Sequence, residues 1–132
     1  MRTPTRKVAL IDDNAIFRMI FGTMISSFEN IEFTNYENAL DALEGLKSSL
    51  VNNSKIPDYL FVDINMPYMT GWEMMDKLQE DEYSFLQNSK IFIVSSSHLE
   101  SDTNNTQQYT FITEYIQKPV KKEKLIEILA LP

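Results

Sequence analysis

The middle of the chain carries the run Tyr59-Leu60-Phe61-Val62-Asp63, in which four apolar residues are followed directly by a carboxylate. Continuous hydrophobicity over so few residues is typical of a strand that is covered on both faces of a parallel sheet. Pro67 and Gly71 come soon afterwards and indicate a turn. The run therefore predicts a buried central strand that ends at Asp63.

Four further segments of strand type lie on either side of this run and alternate with segments of helical period. They are residues 8–11, residues 31–34, residues 91–94 and the surroundings of Tyr115-Ile116. Strands that alternate with helices indicate a parallel sheet with helices on both of its faces. The sequence thus predicts an α/β fold, and we expect residues 1–132 to form a single domain.

The helical segments differ in strength. In the first, apolar residues recur at three- and four-residue steps, with Asp13 or Asn14 as the expected N-cap; they are Ile16, Phe17, Ile20, Phe21, Met24, Ile25 and Phe28. The apolar faces of the second, third and last helices are Ala39, Leu40, Leu43, Leu46 and Leu50; Trp72, Met75 and Leu78; and Leu125, Ile128 and Leu129. Residues 100–108 are almost entirely polar, so the fourth helix is expected to be weak.

Composition excludes several classes of function. The chain has no cysteine, so neither a disulfide framework nor thiolate chemistry is available. No apolar run approaches the roughly 20 residues that a membrane-spanning helix needs, and the run before Asp12 is too short for a signal peptide. The formal net charge of −7 weighs against direct binding of nucleic acid. We therefore expect a cytoplasmic protein that binds neither membranes nor nucleic acids.

Chemically active side chains follow the predicted strands. The first strand ends in Asp12-Asp13, the third in Asp63, the fourth in Ser95 and the fifth in Lys118. In an open parallel sheet the carboxyl ends of the strands meet at one edge, where ligands bind. Taken singly, most of these residues could simply cap a helix or open a turn. Their joint placement predicts one site with three carboxylates, a hydroxyl and an ammonium group.

This set of groups suits phosphoryl transfer. Three converging carboxylates repel one another unless a cation is present, and ligands that are all oxygen favour a hard ion such as Mg2+. A carboxylate can attack phosphorus to form an aspartyl phosphate. We therefore predict Asp63 as the nucleophile and Asp12 and Asp13 as metal ligands. Ser95 and Lys118 are predicted to contact two oxygens of the phosphoryl group.

At this point the chain resembles the receiver domains of response regulators in two-component signalling. The resemblance rests on four stretches in order: Ile11-Asp12-Asp13-Asn14, Phe61-Val62-Asp63-Ile64-Asn65-Met66-Pro67-Tyr68-Met69-Thr70-Gly71, Ile91-Phe92-Ile93-Val94-Ser95-Ser96 and Tyr115-Ile116-Gln117-Lys118-Pro119. With the alternating strands and helices, it covers essentially the whole chain. It implies a doubly wound (βα)5 flavodoxin-like sandwich with a five-stranded parallel sheet in the order 2-1-3-4-5.

The resemblance also implies roles for individual residues. Asp63 would take a phosphoryl group, with Mg2+, from a sensor histidine kinase or a histidine phosphotransfer protein and would lose it by slow self-catalysed hydrolysis. The family implies that the backbone carbonyl of Asn65 is a further metal ligand and that the Lys118-Pro119 peptide is cis. It implies that Ser95 and Tyr115 move together on phosphorylation. Such a protein is a signalling phosphoacceptor rather than an enzyme with a separate substrate, and it acts by contact with a downstream protein.

The sequence leaves one alternative open, a degenerate receiver that binds partners without being phosphorylated. Other classes fit less well: a hydrolase of the haloacid dehalogenase type needs an aspartate where Asn65 stands, and a calcium loop that starts at Asp63 lacks its glycine. Three glycines do not make a dinucleotide-binding loop. Phe111-Ile112 replace the Gly-Ala pair of many receivers, so a bulkier loop is expected there. Leu131-Pro132 and the N-terminal segment are expected to be natural ends, although a piece of a longer regulator or hybrid kinase stays open.

Overall fold

The computed structural model describes residues 5–97 and 99–129. Five strands form one parallel sheet: β1 (Arg6–Ile11), β2 (Ile31–Tyr36), β3 (Tyr59–Val62), β4 (Lys90–Ser95) and β5 (Ile112–Gln117). Their order across the sheet is β2-β1-β3-β4-β5, which confirms the predicted topology. All four residues of β3 are buried, as the apolar run predicted for the central strand. The expected ends at residues 1–4 and 130–132 lie outside the described residues.

Five α-helices connect and follow the strands: α1 (Ala15–Ile25), α2 (Ala39–Val51), α3 (Gly71–Leu78), α4 (Glu100–Asn105) and α5 (Lys122–Leu129). The side chain of Asn14 accepts a hydrogen bond from the amide of Phe17 and so caps α1. Asn38 caps α2 in the same way, and Thr70 with Glu73 forms a capping box on α3. These caps fix where three of the helices leave the edge of the sheet that carries the predicted site.

The core has two halves, one on each face of the sheet. Helices α1 and α5 cover one face, where Phe61 stacks on Phe92 with ring centroids 4.9 Å apart. Helices α2 and α3 cover the other face, which is lined mainly by aliphatic side chains and Met74 and Met75. Strands β1, β3 and β4 contribute to both halves, and this is why their sequences are apolar at consecutive positions.

The buried faces of α1 and α2 are narrower than their apolar sequence patterns. On α1 only Phe21 and Ile25 are buried, whereas the side chain of Ile16 is 66% exposed and that of Ile20 is 50% exposed. On α2, Leu40 and Leu50 are also largely exposed. A sheet covers only part of the circumference of a helix that packs on it. Apolar residues at the margin of the helical pattern therefore remain in solvent.

The segment between α3 and β5 departs most from the sequence analysis. A 3-10 helix over Asp81–Leu86, which the sequence did not predict, brings Tyr83 and Leu86 into the core. Helix α4 has six residues and passes into a 3-10 turn, in keeping with its polar sequence. Phe111 packs edge to face against Tyr109, and the pairing of β5 with β4 shifts by one residue next to it. The bulkier loop expected there is therefore packed onto the sheet.

Within the described part of the chain, no helix is both long enough and apolar enough to span a membrane. A cytoplasmic location stays a prediction.

Candidate functional site

The backbone of β1, β2 and β3 places the aspartates. The amide of Asp63 donates to the carbonyl of Ile11 at 2.9 Å, and the amide of Asp12 donates to the carbonyl of Tyr36 at 3.0 Å. Each aspartate therefore continues the hydrogen bonding of the sheet just past the end of its strand. Asp12 is fully buried and Asp63 is 6% exposed, while Asp13 lies exposed beside them.

The three carboxylates form one cluster. One oxygen from each of Asp12, Asp13 and Asp63 lies within 4.8 Å of the other two. Asp12 Oδ1 accepts a hydrogen bond from the amide of Asn14, and its buried Oδ2 lies 2.8 Å from the ammonium of Lys118. A cluster of three carboxylates offers only oxygen ligands and so fits Mg2+, and a bound Mg2+ would supply positive charge to the oxygens of a phosphoryl group.

Lys118 provides the one ammonium group that the structure places against these carboxylates in the described residues. Its Nζ lies 2.8 Å from Asp12 Oδ2 and 3.9 Å from Asp63 Oδ1, and its side chain is 17% exposed. The Lys118-Pro119 peptide is cis, as the resemblance implied, and the amide of Lys118 donates to the carbonyl of Ser95 at 2.8 Å. The end of β5 thus presents Lys118 to the ends of β1 and β3.

The electrostatics of the cluster centre on Asp63. Burial and then the neighbouring charge of Asp12 raise the pKa of Asp63 from 3.8 to about 6, against the smaller lowering effect of Lys118. The amide of Ile64 also donates to Asp63 Oδ1 at 2.9 Å and favours the ionised form. The Asp63 carboxylate is therefore mostly ionised at neutral pH, which a nucleophile requires. Its ionisation costs the folded state free energy, because the charge is buried beside Asp12.

Ser95 and Tyr115 lie on the side of the site toward α4. Ser95 is 1% exposed, and its Oγ accepts a hydrogen bond from the amide of Ser97 at 3.1 Å. The hydroxyl of Tyr115 donates to the carbonyl of Ser97 at 3.1 Å, so both predicted switch residues contact the same loop residue. Asn65 lies exposed in the turn after β3, two residues from Asp63.

Three supporting residues were missed by the sequence analysis. A side-chain carbon at Gly71 would lie 2.4 Å from the carbonyl oxygen of Asp63, so only glycine allows α3 to begin against the turn that follows Asp63. Arg18 Nη1 donates to the carbonyl of Asp12 at 2.7 Å. The ring of Phe17 lies against Lys118, with Nζ 4.2 Å from its centroid. Gly71 belongs to the second of the four stretches that carry the resemblance, but its close approach to Asp63 was not predicted. Nothing in the sequence pattern marked Phe17 or Arg18 as residues of the site.

Known proteins resemble this chain in sequence. The family model described as the response regulator receiver domain matches residues 8–130. The chain is 31% identical over 122 residues to the sensor histidine kinase CheAY of Helicobacter pylori, which covers 92% of this chain and 14% of that protein. It is 30% identical over 126 residues to the nitrate/nitrite response regulator NarL of Escherichia coli, covering 92% of this chain and 52% of NarL. The chain thus spans about half the length of NarL and much less of CheAY.

Solved structures agree on the fold. A two-component response regulator from Cytophaga hutchinsonii superposes with a TM-score of 0.86 at 23% identity, over 97% of this chain and 96% of that one. The chemotaxis protein CheY4 of Vibrio cholerae superposes with a TM-score of 0.74 at 20% identity, over 96% and 97% of the two chains. Domains of this kind take phosphoryl groups from histidine kinases and typically bind Mg2+. The match over residues 8–130 shows that this chain belongs to the response regulator receiver domain family of two-component signalling.

Proposed function

We propose that Asp63 is the phosphoacceptor of this receiver domain and that its phosphorylation switches a protein-interaction surface. The observation that carries the proposal is the convergence of Asp12, Asp13 and Lys118 on the buried carboxylate of Asp63. A helix cap or a turn residue would need none of these neighbours. A nucleophile that must receive a multiply charged group needs positive charge beside it, which Lys118 supplies directly and which Asp12 and Asp13 would supply by holding Mg2+.

In the proposed reaction an oxygen of the Asp63 carboxylate attacks phosphorus. A new O–P bond forms while the P–N bond to the donor histidine breaks. The donor ring already carries a proton on its other nitrogen, so it takes back the electron pair of the P–N bond and leaves as neutral imidazole. Lys118 pairs with an oxygen of the arriving group, since its ammonium already lies 3.9 Å from Asp63 Oδ1. Ser95 Oγ accepts from the amide of Ser97, so its own proton remains available for a second phosphoryl oxygen.

Asp12, Asp13 and Asp63 would hold Mg2+, and we propose the backbone carbonyl of Asn65 as a further ligand. The support for Asp12 is its place in the cluster, where one of its carboxylate oxygens lies within 4.8 Å of one from Asp13 and one from Asp63. The support for Asn65 is the resemblance alone, because it follows Asp63 at the family's spacing. The donor is proposed to be a sensor histidine kinase or a histidine phosphotransfer protein in the cytoplasm. The chain would then act on a downstream protein by contact.

The proposed switch begins at Ser95. When its hydroxyl turns to the phosphoryl group, the loop residue Ser97 loses a hydrogen-bond acceptor, and the ring of half-buried Tyr115 follows through its bond to the Ser97 carbonyl. The Ser97 hydroxyl also donates to Asp102 in α4, which in turn accepts from the indole of Trp72 in α3. A change at Ser95 can therefore reach two helices through a short chain of hydrogen bonds.

Incubation with acetyl phosphate and Mg2+, followed by intact mass measurement, tests the proposal. We expect a single added phosphoryl group that disappears with time and is absent in Asp63→Asn. Asp81→Asn, which removes an exposed carboxylate far along the chain, is the matched control and should still form the adduct. An unmodified wild-type chain would favour the degenerate, phosphorylation-independent receiver instead, and an adduct that persists in Asp63→Asn would contradict Asp63 as the acceptor.

A further inference from the structure

We propose that Phe17 is a positioning residue for phosphoryl transfer, because its ring face holds the Lys118 ammonium beside Asp63. The inference rests on the proposed function of Asp63. Lys118 Nζ lies 4.2 Å from the centroid of the Phe17 ring, well within the roughly 6 Å over which a cation is attracted to an aromatic face. The first helix thus contributes a contact to a site that is otherwise built from strand ends.

The ammonium has three close neighbours of two kinds. It lies 2.8 Å from Asp12 Oδ2 and 3.9 Å from Asp63 Oδ1, so at rest it is paired mainly with Asp12. The carboxylates are hydrogen-bond acceptors with preferred directions, whereas the ring attracts the charge through its quadrupole over a broad area. The Phe17 ring therefore keeps the ammonium at the site without fixing which carboxylate the ammonium pairs with.

The core holds the Phe17 ring in place. Phe17 is half-buried and packs against the fully buried Phe21, with ring centroids 5.9 Å apart, and Phe21 packs in turn against Phe61 of the central strand. A ring anchored in this way cannot follow a mobile lysine side chain into solvent. It instead forms one wall of the space in which the Lys118 side chain can move.

This wall matters during the reaction, because Lys118 must turn from Asp12 to an oxygen of the group that Asp63 receives. A lysine on an open surface would pass through hydrated positions and would have to lose its water again. The Phe17 ring covers the ammonium throughout, and it offers no lone pair that competes with the phosphoryl oxygens. Removing the ring should therefore slow the approach of Lys118 to the phosphoryl group.

The test compares variants of Phe17 by the rate of adduct formation with acetyl phosphate and Mg2+. Phe17→Leu keeps an apolar side chain but removes the aromatic face, and we expect the rate to fall about threefold to tenfold. Phe17→Tyr keeps the face and should react at close to the wild-type rate. Site-specific mono-, di- and trifluorophenylalanine at position 17 keep the ring shape and withdraw its face charge stepwise, so the rate should fall stepwise.

A second readout needs neither metal nor phosphoryl donor. In the metal-free protein, the ring current of Phe17 should move the Lys118 Hε proton resonances upfield, and Phe17→Leu should abolish that shift. A normal rate in Phe17→Leu, or a rate that is flat across the fluorinated series, overturns the inference while leaving Asp63 as phosphoacceptor. An absent ring-current shift overturns it as well. If the unsubstituted chain forms no adduct, the proposed function fails first and the inference fails with it.

Discussion

Replacing Asp63 by asparagine is expected to stabilise the metal-free protein at neutral pH, although it removes the proposed nucleophile. Burial and the charge of Asp12 raise the pKa of Asp63 from 3.8 to about 6. The folded state therefore keeps a proton that the unfolded chain has already lost, and the free energy of unfolding falls as the pH rises from about 4 to about 6. Above that range the penalty is complete.

The size of the penalty follows from the shift. One pKa unit corresponds to about 1.4 kcal/mol, so an ionised Asp63 costs the folded state about 3 kcal/mol at most. Water that reaches the open edge of the sheet lowers this cost, and we expect Asp63→Asn to stabilise by about 1 to 3 kcal/mol at pH 7.5. The gain should vanish below pH 4, where both side chains are neutral. Asparagine can still accept the Ile64 hydrogen bond.

Urea unfolding of the two proteins in the presence of a chelator, between pH 4 and pH 8, measures this difference. Asp81→Asn, an exposed carboxylate, serves as the control and should change the free energy of unfolding by less than about 0.5 kcal/mol. Adding Mg2+ at about 100 times its dissociation constant should stabilise the wild type by about 2.7 kcal/mol and should act much less on Asp63→Asn. A destabilised asparagine variant at pH 7.5 would refute the assignment of Asp63 as an electrostatically strained carboxylate.

Three further outcomes are expected. Gly71→Ala should destabilise the fold by about 2 kcal/mol or more in urea unfolding and should suppress adduct formation, because a methyl group would lie 2.4 Å from the Asp63 carbonyl oxygen; an unchanged unfolding midpoint would contradict this. Asp102→Ala should shift the emission of Trp72, the single tryptophan, to longer wavelength and cost about 1 kcal/mol, since the indole loses its 3.1 Å partner; an unchanged spectrum would argue against that contact. Amides of residues 100–108 should exchange with solvent much faster than those of α1, and uniformly strong protection there would rule out a mobile α4.

The sequence predicted the parts of the molecule that short-range patterns encode. Five segments of strand type gave the strands, and side chains that follow four of them gave the site, because the carboxyl ends of parallel strands must share one edge. Asp13 or Asn14 was predicted as the cap of α1, and Asn14 caps it. The roles of the site residues and the single domain over residues 1–132 stay predictions, since geometry alone tests neither.

Other features depend on contacts between distant parts of the chain, and no short-range sequence pattern encodes them. The 3-10 helix over Asp81–Leu86 has no helical period of its own and is held by the packing of Tyr83 and Leu86 in the core. Ile16 and Phe17 look alike in an amphipathic pattern. Only the crossing of α1 over the sheet decides that Ile16 faces solvent and that Phe17 meets Lys118.

The charge at the site explains why a neutral hydroxyl is well suited to start the proposed switch. Three carboxylates and the ammonium of Lys118 leave the resting cluster with a formal charge of about minus two, which one divalent cation can neutralise. Phosphorylation replaces the single charge of Asp63 by about one and a half to two negative charges on exposed oxygens. The cluster then carries unbalanced negative charge again, although its cations are already engaged. Ser95 lies buried at this edge, and its hydroxyl is a neutral donor that can turn without bringing a new charge out of water. When the hydroxyl turns, it no longer accepts the hydrogen bond from the amide of Ser97. The negative charge that the cations do not neutralise would thus supply the energy that drives the switch. Ser95→Ala should accordingly accept the phosphoryl group, but the emission of Trp72 should no longer respond to phosphorylation.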